Sequence, residues 1–240
     1  LRDAKQDVNK GVIHEDKPKW IVTWQEDPPG LQIGGGDGPG DGASGAAIAH
    51  GTDIWYSMTD ELNVTDFSTP ARLTDNNTTI KDPAHGDGNL VYEPNGVAVT
   101  ELESGIAGAS RANTAVVNAS ADLGETQPTV VVTYEETKGT GGLDDGKYVI
   151  YHSFPFDTPP LTGEAGTIIS KQDENARRVR FVTQVNPASG SGMRMGIFWR
   201  QGHPTAGGPG DIMVRLGMSN GTTSGLEVSD MTEAVNISSN

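Results

Sequence analysis

Four carboxylates stand at the ends of two runs with a shared pattern: Glu26 and Asp27 after Val22-Thr23-Trp24-Gln25, and Glu135 and Glu136 after Val132-Thr133-Tyr134. Two carboxyls at a defined separation are the machinery of glycoside hydrolysis. An acid one step past an aromatic residue also suits the capping of a turn through backbone N–H groups, and its recurrence in a repeat favours that structural role. No residue is therefore singled out as catalytic.

Three glycine-rich inserts carry further acids. Gly34-Gly35-Gly36-Asp37-Gly38-Pro39-Gly40-Asp41-Gly42 is the longest, Gly141-Gly142-Leu143-Asp144-Asp145-Gly146 is a smaller version, and Gly207-Gly208-Pro209-Gly210-Asp211 is a third. Glycines let the backbone turn its carbonyls inward and aspartates supply hard oxygen ligands, so the metal these loops suit is Ca²⁺, with Asp37, Asp41, Asp144 and Asp145 as ligands. A plain surface loop explains the same composition. His14, His50, His85, His152 and His203 include no pair at i, i+2 or i, i+4, which argues against a local transition-metal site. No phosphate loop, dinucleotide fingerprint or nucleophile elbow occurs.

The charge balance narrows the partners. The chain has 17 basic and 32 acidic side chains, a net charge of −15, and its Lys and Arg form no run. Such a field repels nucleic-acid backbones and anionic lipid surfaces, leaving neutral or cationic partners, carbohydrate among them. With no cysteine there is no disulfide, no thiolate metal site and no attachment point for haem c. Apolar stretches fall far short of the roughly 20 residues of a membrane-spanning helix. Six Asn-x-Ser/Thr triplets, at Asn63, Asn76, Asn77, Asn118, Asn220 and Asn236, exceed the roughly two that chance gives and predict a secreted glycoprotein, although turn chemistry enriches the same residues.

The elements that must position these residues read as strands. Helical periodicity is missing, Gly and Pro interrupt most windows, and short β-branched and aromatic runs recur. Strands are predicted at 19–25, 52–57, 71–73, 114–118, 129–135, 148–154, 166–170, 179–183, 194–200 and 211–216. Val22-Thr23-Trp24, Val132-Thr133-Tyr134 and Ile197-Phe198-Trp199 align, and each is followed by a turn and a returning strand: Asp53-Ile54-Trp55-Tyr56-Ser57, Tyr148-Val149-Ile150-Tyr151-His152 and Asp211-Ile212-Met213-Val214-Arg215. Trp24, Tyr134 and Trp199 should then occupy equivalent positions in successive small sheets. Further strands precede the aromatic one in the later units, so about three four-stranded units are expected, near 18–76, 111–170 and 175–218, within one all-β domain.

Ile21-Val22-Thr23-Trp24-Gln25-Glu26-Asp27, Thr52-Asp53-Ile54-Trp55-Tyr56-Ser57 and Phe67-Ser68-Thr69-Pro70-Ala71-Arg72-Leu73-Thr74-Asp75-Asn76 together resemble a blade of the sialidase-like, or BNR-repeat, β-propellers. The inserts are also similar to those of bacterial "choice-of-anchor" surface proteins. The resemblance implies a propeller-like fold, a place outside the cytoplasm and contact with protein or carbohydrate. A sialidase site would need three arginines around a carboxylate and a Tyr–Glu pair; Arg111, Arg177, Arg178 and Arg200 are available, but none lies in a family motif. The family's Asp-box hairpin is missing, since Ser57-Met58-Thr59-Asp60-Glu61-Leu62 lacks its glycine and tryptophan.

Three units are too few for a ring of at least four blades, so completion by another polypeptide, or by the rest of the same precursor, is expected through the units around Trp24 and Trp199. The function expected on these grounds is a non-catalytic binding or structural module of an extracellular or cell-surface assembly. The alternative is a sialidase-type glycoside hydrolase with part of its site outside this chain.

Overall fold

A computed structural model of the chain describes residues 19–26, 32–33, 46–47, 53–60, 65–74, 90–92, 99–102, 108–118, 128–137, 146–164, 166–185, 193–202, 210–218 and 227–238. Its first strands are β1 (Trp20–Glu26), a short ribbon of β2 (Gln32–Ile33) and β3 (Ala46–Ala47), then β4 (Asp53–Thr59) and β5 (Ala71–Arg72). A second ribbon, β6 (Leu90–Tyr92) and β7 (Val99–Leu102), precedes β8 (Ala109–Asn118), β9 (Pro128–Thr137), β10 (Lys147–Pro155) and β11 (Thr167–Ile168). The last strands are β12 (Asn175–Val185), β13 (Met193–Gly202), β14 (Gly210–Met218) and β15 (Val235–Asn236), with a 3-10 turn at Val228–Asp230. No α-helix occurs among the described residues.

Three antiparallel sheets result: sheet 1 is β1-β4-β5, sheet 2 is β8-β9-β10-β11, and sheet 3 is β12-β13-β14-β15. Their registers coincide. Trp24 faces Trp55 and Trp55 faces Arg72; Tyr134 faces Ile150 and Ile150 faces Ile168; Trp199 faces Met213 and Met213 faces Asn236. The three aromatic residues thus hold one position in three successive sheets. Each of the ten predicted strands is present; the fourth strand of the third unit, Val235–Asn236, lies beyond its expected end at 218, and the first unit has three strands where four were expected.

Sheet 2 is apolar on both faces because it lies between the other two. Along β9, Val130, Val132 and Tyr134 pack with Ile21, Ile54 and Tyr56 of sheet 1, whereas the alternating Val131 packs with sheet 3. Strand β10 divides likewise, Ile150 and Phe154 toward sheet 1, Val149 and Tyr151 toward sheet 3. A strand buried on both faces reads as a continuous β-branched run, which is what Val130-Val131-Val132-Thr133 is. Thr23 and Thr114 bond across the first seam at 2.9 Å. At its rim Lys19 reaches Asp157 at 3.1 Å and lies 4.5 Å from the Phe156 ring centre.

Two aromatic residues lie inside the stack. Trp199 does not lie on a free end: it is 1 % exposed, turned toward sheet 2, with its Nε1 donating to Gln201 Oε1 at 2.8 Å. Tyr56 is buried against Phe154.

Candidate functional site

A group of charged side chains forms where two irregular edge strands meet a seam. In sheet 2 the pairing of β8 with β9 passes from Ser110–Glu135 to Asn113–Thr133, so Arg111 and Ala112 together oppose Tyr134. In sheet 3 it passes from Arg177–Arg200 to Arg180–Phe198, so Arg178 and Val179 together oppose Trp199. Both are bulges of one extra residue. At each, the first residue has left-handed backbone: Arg111 at φ 56° and Arg178 at φ 59°.

Glu135 joins the two bulges. It lies opposite the start of the first, on the face toward sheet 3, and is 1 % exposed. Its Oε1 accepts from the backbone N–H of Arg178 and from that of Val179 at 3.2 Å, while Lys147 Nζ lies 3.4 Å from Oε2 and Arg111 Nη1 3.6 Å from Oε1. Asn113 Nδ2 donates to the Val179 carbonyl at 3.0 Å, so Val179 is held at both its N–H and its C=O. Lys147 Nζ also donates to Ser110 Oγ at 2.9 Å. Asn175 Oδ1 receives the Lys147 backbone N–H at 2.8 Å and Arg177 Nε at 3.3 Å.

Burial lowers the Lys147 pKa, opposed by Glu135 and assisted by Arg111 and Arg177. Burial also lowers that of Arg111, again opposed by Glu135, with Arg178 and Arg180 adding repulsion. Glu135 thus pairs with two cations, Lys147 and Arg111, and Arg177, Arg178 and Arg180 lie near enough to act on one or other of those two. Arg178 and Arg180 are exposed, and Arg111 and Arg177 are partly so. In a chain of net charge −15 this is a local excess of positive charge on the edge strands β8 and β12.

The arrangement limits the chemistry. Ser110 and Lys147 have the spacing of a nucleophile and its base, but both are buried and the ammonium is shared with Glu135. Glu135 and Glu136 are neighbours on a strand and so point to opposite faces; Glu136 acts with Asp53 on Tyr134, raising its pKa well above the usual range alongside the larger effect of burial. Asp53 accepts from Thr74 Oγ1 at 2.7 Å and Arg72 Nη1 at 3.4 Å. Glu135 accepts from backbone N–H groups, as the capping expectation has it, but these belong to the bulge of β12 in the next sheet and not to a turn.

A second concave feature lies at the other end of β10, a cleft of about 400 Å³ lined by His152, Ser153, Pro159, Glu164, Gly166 and Glu227 among others. His152 stacks on Tyr134 with ring centres 5.7 Å apart and pairs with its hydroxyl at 3.1 Å. Burial pushes the imidazole down to about 4, so it stands neutral.

Of the residues singled out in sequence, Asp37, Asp41, Asp144 and Asp145 lie outside the described residues, as do Asp27, Asn63, Asn76, Asn77 and Asn220. Glu26 and Asn118 close β1 and β8. Asn236 is exposed on β15, its Oδ1 accepting from Ser238 N at 2.9 Å and Ser238 Oγ at 2.8 Å. Arg111, Arg177 and Arg178 come together, and Arg200 faces Arg177 across β12 and β13. Lys147, Ser110 and Asn175 were missed. The signal that could have found the site is the alignment of Ser110-Arg111-Ala112-Asn113 with Arg177-Arg178-Val179-Arg180 just before the two aromatic strands.

Comparison with models of protein families, with curated proteins and with solved structures gives no match.

Proposed function

We propose that the chain is a non-catalytic binding and structural module of an extracellular or cell-surface assembly, of sialidase-like propeller type, and that it holds an acidic group of its ligand along the arginine-bearing edge of β8 and β12. The observation that carries this reading is the gathering of Arg177, Arg178 and Arg180 beside the Arg111–Glu135–Lys147 group, in a chain of net charge −15. Guanidinium groups suit a carboxylate because their planar fork matches its two oxygens. The partner is another polypeptide or a carbohydrate bearing such a group. The six sequons support a place outside the cytoplasm, and Ca²⁺ on Asp37, Asp41, Asp144 and Asp145 remains the metal proposed for the inserts.

Titration of the intact chain with N-acetylneuraminic acid, galacturonic acid and their neutral counterparts tests the reading. Acidic sugars should bind, added salt should weaken them, and Arg178→Ala with Arg180→Ala should abolish the preference. Equal behaviour of acidic and neutral sugars at millimolar concentration would overturn it. The same arginines favour a second reading, a sialidase-type glycoside hydrolase. Its test is release of the fluorophore from an aryl sialoside, and none is expected because Glu135 is engaged by backbone N–H groups and Lys147.

A further inference from the structure

The two-residue strands β5, β11 and β15 leave most of the outer edges of β4, β10 and β14 to be closed by other means. One arrangement recurs there. The Ile54 N–H donates to Thr74 Oγ1 at 3.0 Å while its carbonyl accepts from Leu73 N at 2.8 Å, and Met58 is held likewise by Ser68 Oγ at 3.0 Å and Ser68 N at 2.8 Å. In sheet 3, Ile212 is held by Ser238 Oγ at 3.2 Å and Ile237 N at 2.9 Å, and Leu216 by Thr232 Oγ1 at 3.0 Å and Thr232 N at 2.8 Å. In sheet 2, Val149 is held by Ser170 Oγ and Ile169 N, both at 3.0 Å. Each clamp places a Ser or Thr hydroxyl on the strand N–H and a backbone N–H on the strand C=O, so an edge that could template pairing is blunted.

Sheets 1 and 3 carry two clamps each, four residues apart, and Ser153 is the place for the second clamp of sheet 2. It lies four residues past Val149, as Met58 lies past Ile54 and Leu216 past Ile212, and antiparallel alternation turns its backbone N–H and C=O to the β11 side. The clamping residues Ser68 and Thr232 stand three before Ala71 and Val235, the partners of Tyr56 and Val214. Three before Thr167, the partner of Tyr151, stands Glu164. A carboxylate thus replaces the hydroxyl, and it is turned to its own loop: Glu164 Oε2 accepts from Leu161 N at 3.1 Å, and Glu164 N donates to Leu161 O at 3.0 Å. Ser153 has no clamp among the described residues. Beside it opens the cleft of about 400 Å³, lined by Ser153, Glu164, Gly166, Thr167 and, from sheet 3, Glu227, and by no Lys or Arg among the described residues.

We infer that the Ser153 edge is a docking site for an extended peptide of a partner protein, in which one Ser or Thr supplies the hydroxyl and the N–H that Ser68 and Thr232 supply in the other sheets. Basic residues flank that Ser or Thr, because Glu164 and Glu227 are the charges that meet them. Main-chain hydrogen bonds to a sheet edge give such a peptide its affinity, and the flanking side chains give its specificity. Sheet order puts this edge across sheet 2 from the arginine-bearing β8, so the site is independent of the acidic-ligand reading.

NMR titration of the intact chain with the blocked peptide acetyl-Lys-Thr-Lys-amide tests the inference. The Ser153 amide resonance should shift and saturate below about 10 mM, and acetyl-Lys-Val-Lys-amide, of the same shape without the hydroxyl, should bind about tenfold more weakly. Glu164→Thr gives sheet 2 the hydroxyl that sheets 1 and 3 have, so it should slow hydrogen exchange of the Ser153 amide about tenfold or more and abolish peptide binding. Arg178→Ala with Arg180→Ala should leave peptide binding unchanged, which separates a failure here from a failure of the acidic-ligand reading. The inference is overturned by no shift up to about 10 mM, by equal binding of the two peptides, or by loss of binding in the double arginine variant. A Ser153 amide already as protected from exchange as those of Met58 and Leu216 in the wild-type chain would also overturn it, since the edge would then be closed without a partner.

Discussion

Arg111 and Arg178 occupy the same place in consecutive sheets, each opening a bulge opposite an aromatic residue with φ near that of a left-handed helix, 56° and 59°. Left-handed backbone costs a residue with a Cβ about 1–2 kcal/mol, and glycine avoids that cost while losing some of it to the entropy of its unfolded chain. Arg178→Gly should therefore raise stability by about 0.5–1 kcal/mol in urea denaturation. Arg111→Gly should gain less, because its guanidinium is one of the partners of Glu135. Equal gains at the two sites would mean that the Arg111–Glu135 pair contributes nothing.

Removing Glu135 strands more than a charge. Its loss leaves the N–H groups of Arg178 and Val179 without their acceptor and Lys147 buried without its carboxylate. A buried cation left unpaired costs about 3–5 kcal/mol, and each orphaned donor adds to that. Glu135→Ala should destabilise by at least about 3 kcal/mol, and Glu135→Gln by less, because an amide oxygen still accepts from the bulge. Pairing Glu135→Gln with Lys147→Met should recover part of the loss. A double variant no more stable than Glu135→Gln alone would show that Lys147 carries no penalty.

Strand cores were legible wherever β-branched residues run together, as in Val130-Val131-Val132-Thr133, and the aromatic at the end of each run marked the repeat. The two-residue strands β5 and β11 could be placed only from their position after a returning strand, and β15, β2 and β3 have too few residues to show any period. The start of β8 was read five residues late because Ala109-Ser110-Arg111 carries no β-branched side chain. The site itself was the least legible part. Left-handed backbone announces itself in sequence through glycine, and here arginine stands there twice. Glu135 reads as a turn acid because its actual partners belong to Arg178 and Val179 of the next sheet, a relation that depends on how sheets stack and not on local spacing.

Gly166 fits where no side chain can. A Cβ at this position would lie 2.4 Å from His152 Nε2 and 2.5 Å from Ile150 Cγ2. Ile150 is fully buried between sheets 1 and 2, and His152 is held by stacking on Tyr134, so neither moves without disturbing the first seam. Gly166→Ala should cost about 1–3 kcal/mol, as overpacking does, and should shift the Tyr134 and His152 ring resonances in NMR spectra. An alanine variant of unchanged stability and spectrum would place the Thr167–Ile168 strand farther from β10.

His152 should give the fold an acid-sensitive term. In the folded chain, burial lowers its pKa from 6.5 to about 4, and the Tyr134 hydroxyl faces its Nε2 at 3.1 Å. A depressed folded value means that the unfolded chain binds the proton first. This group's contribution is therefore complete above about pH 6.5, declines as the pH falls, and is gone below about pH 4. The full span corresponds to ~3 kcal/mol, at 1.36 kcal/mol per pH unit between the two pKa values. Carboxylates engaged in the fold, Asp53 with Thr74 and Arg72 among them, lose their own interactions in acid. The measurement is therefore a comparison: urea midpoints across this range for the wild-type chain and for His152→Gln, whose amide does not titrate. The wild-type curve should fall more steeply than that of the variant. An NMR titration in which the His152 ring protonates near pH 6.5 while the chain stays folded would remove the term altogether.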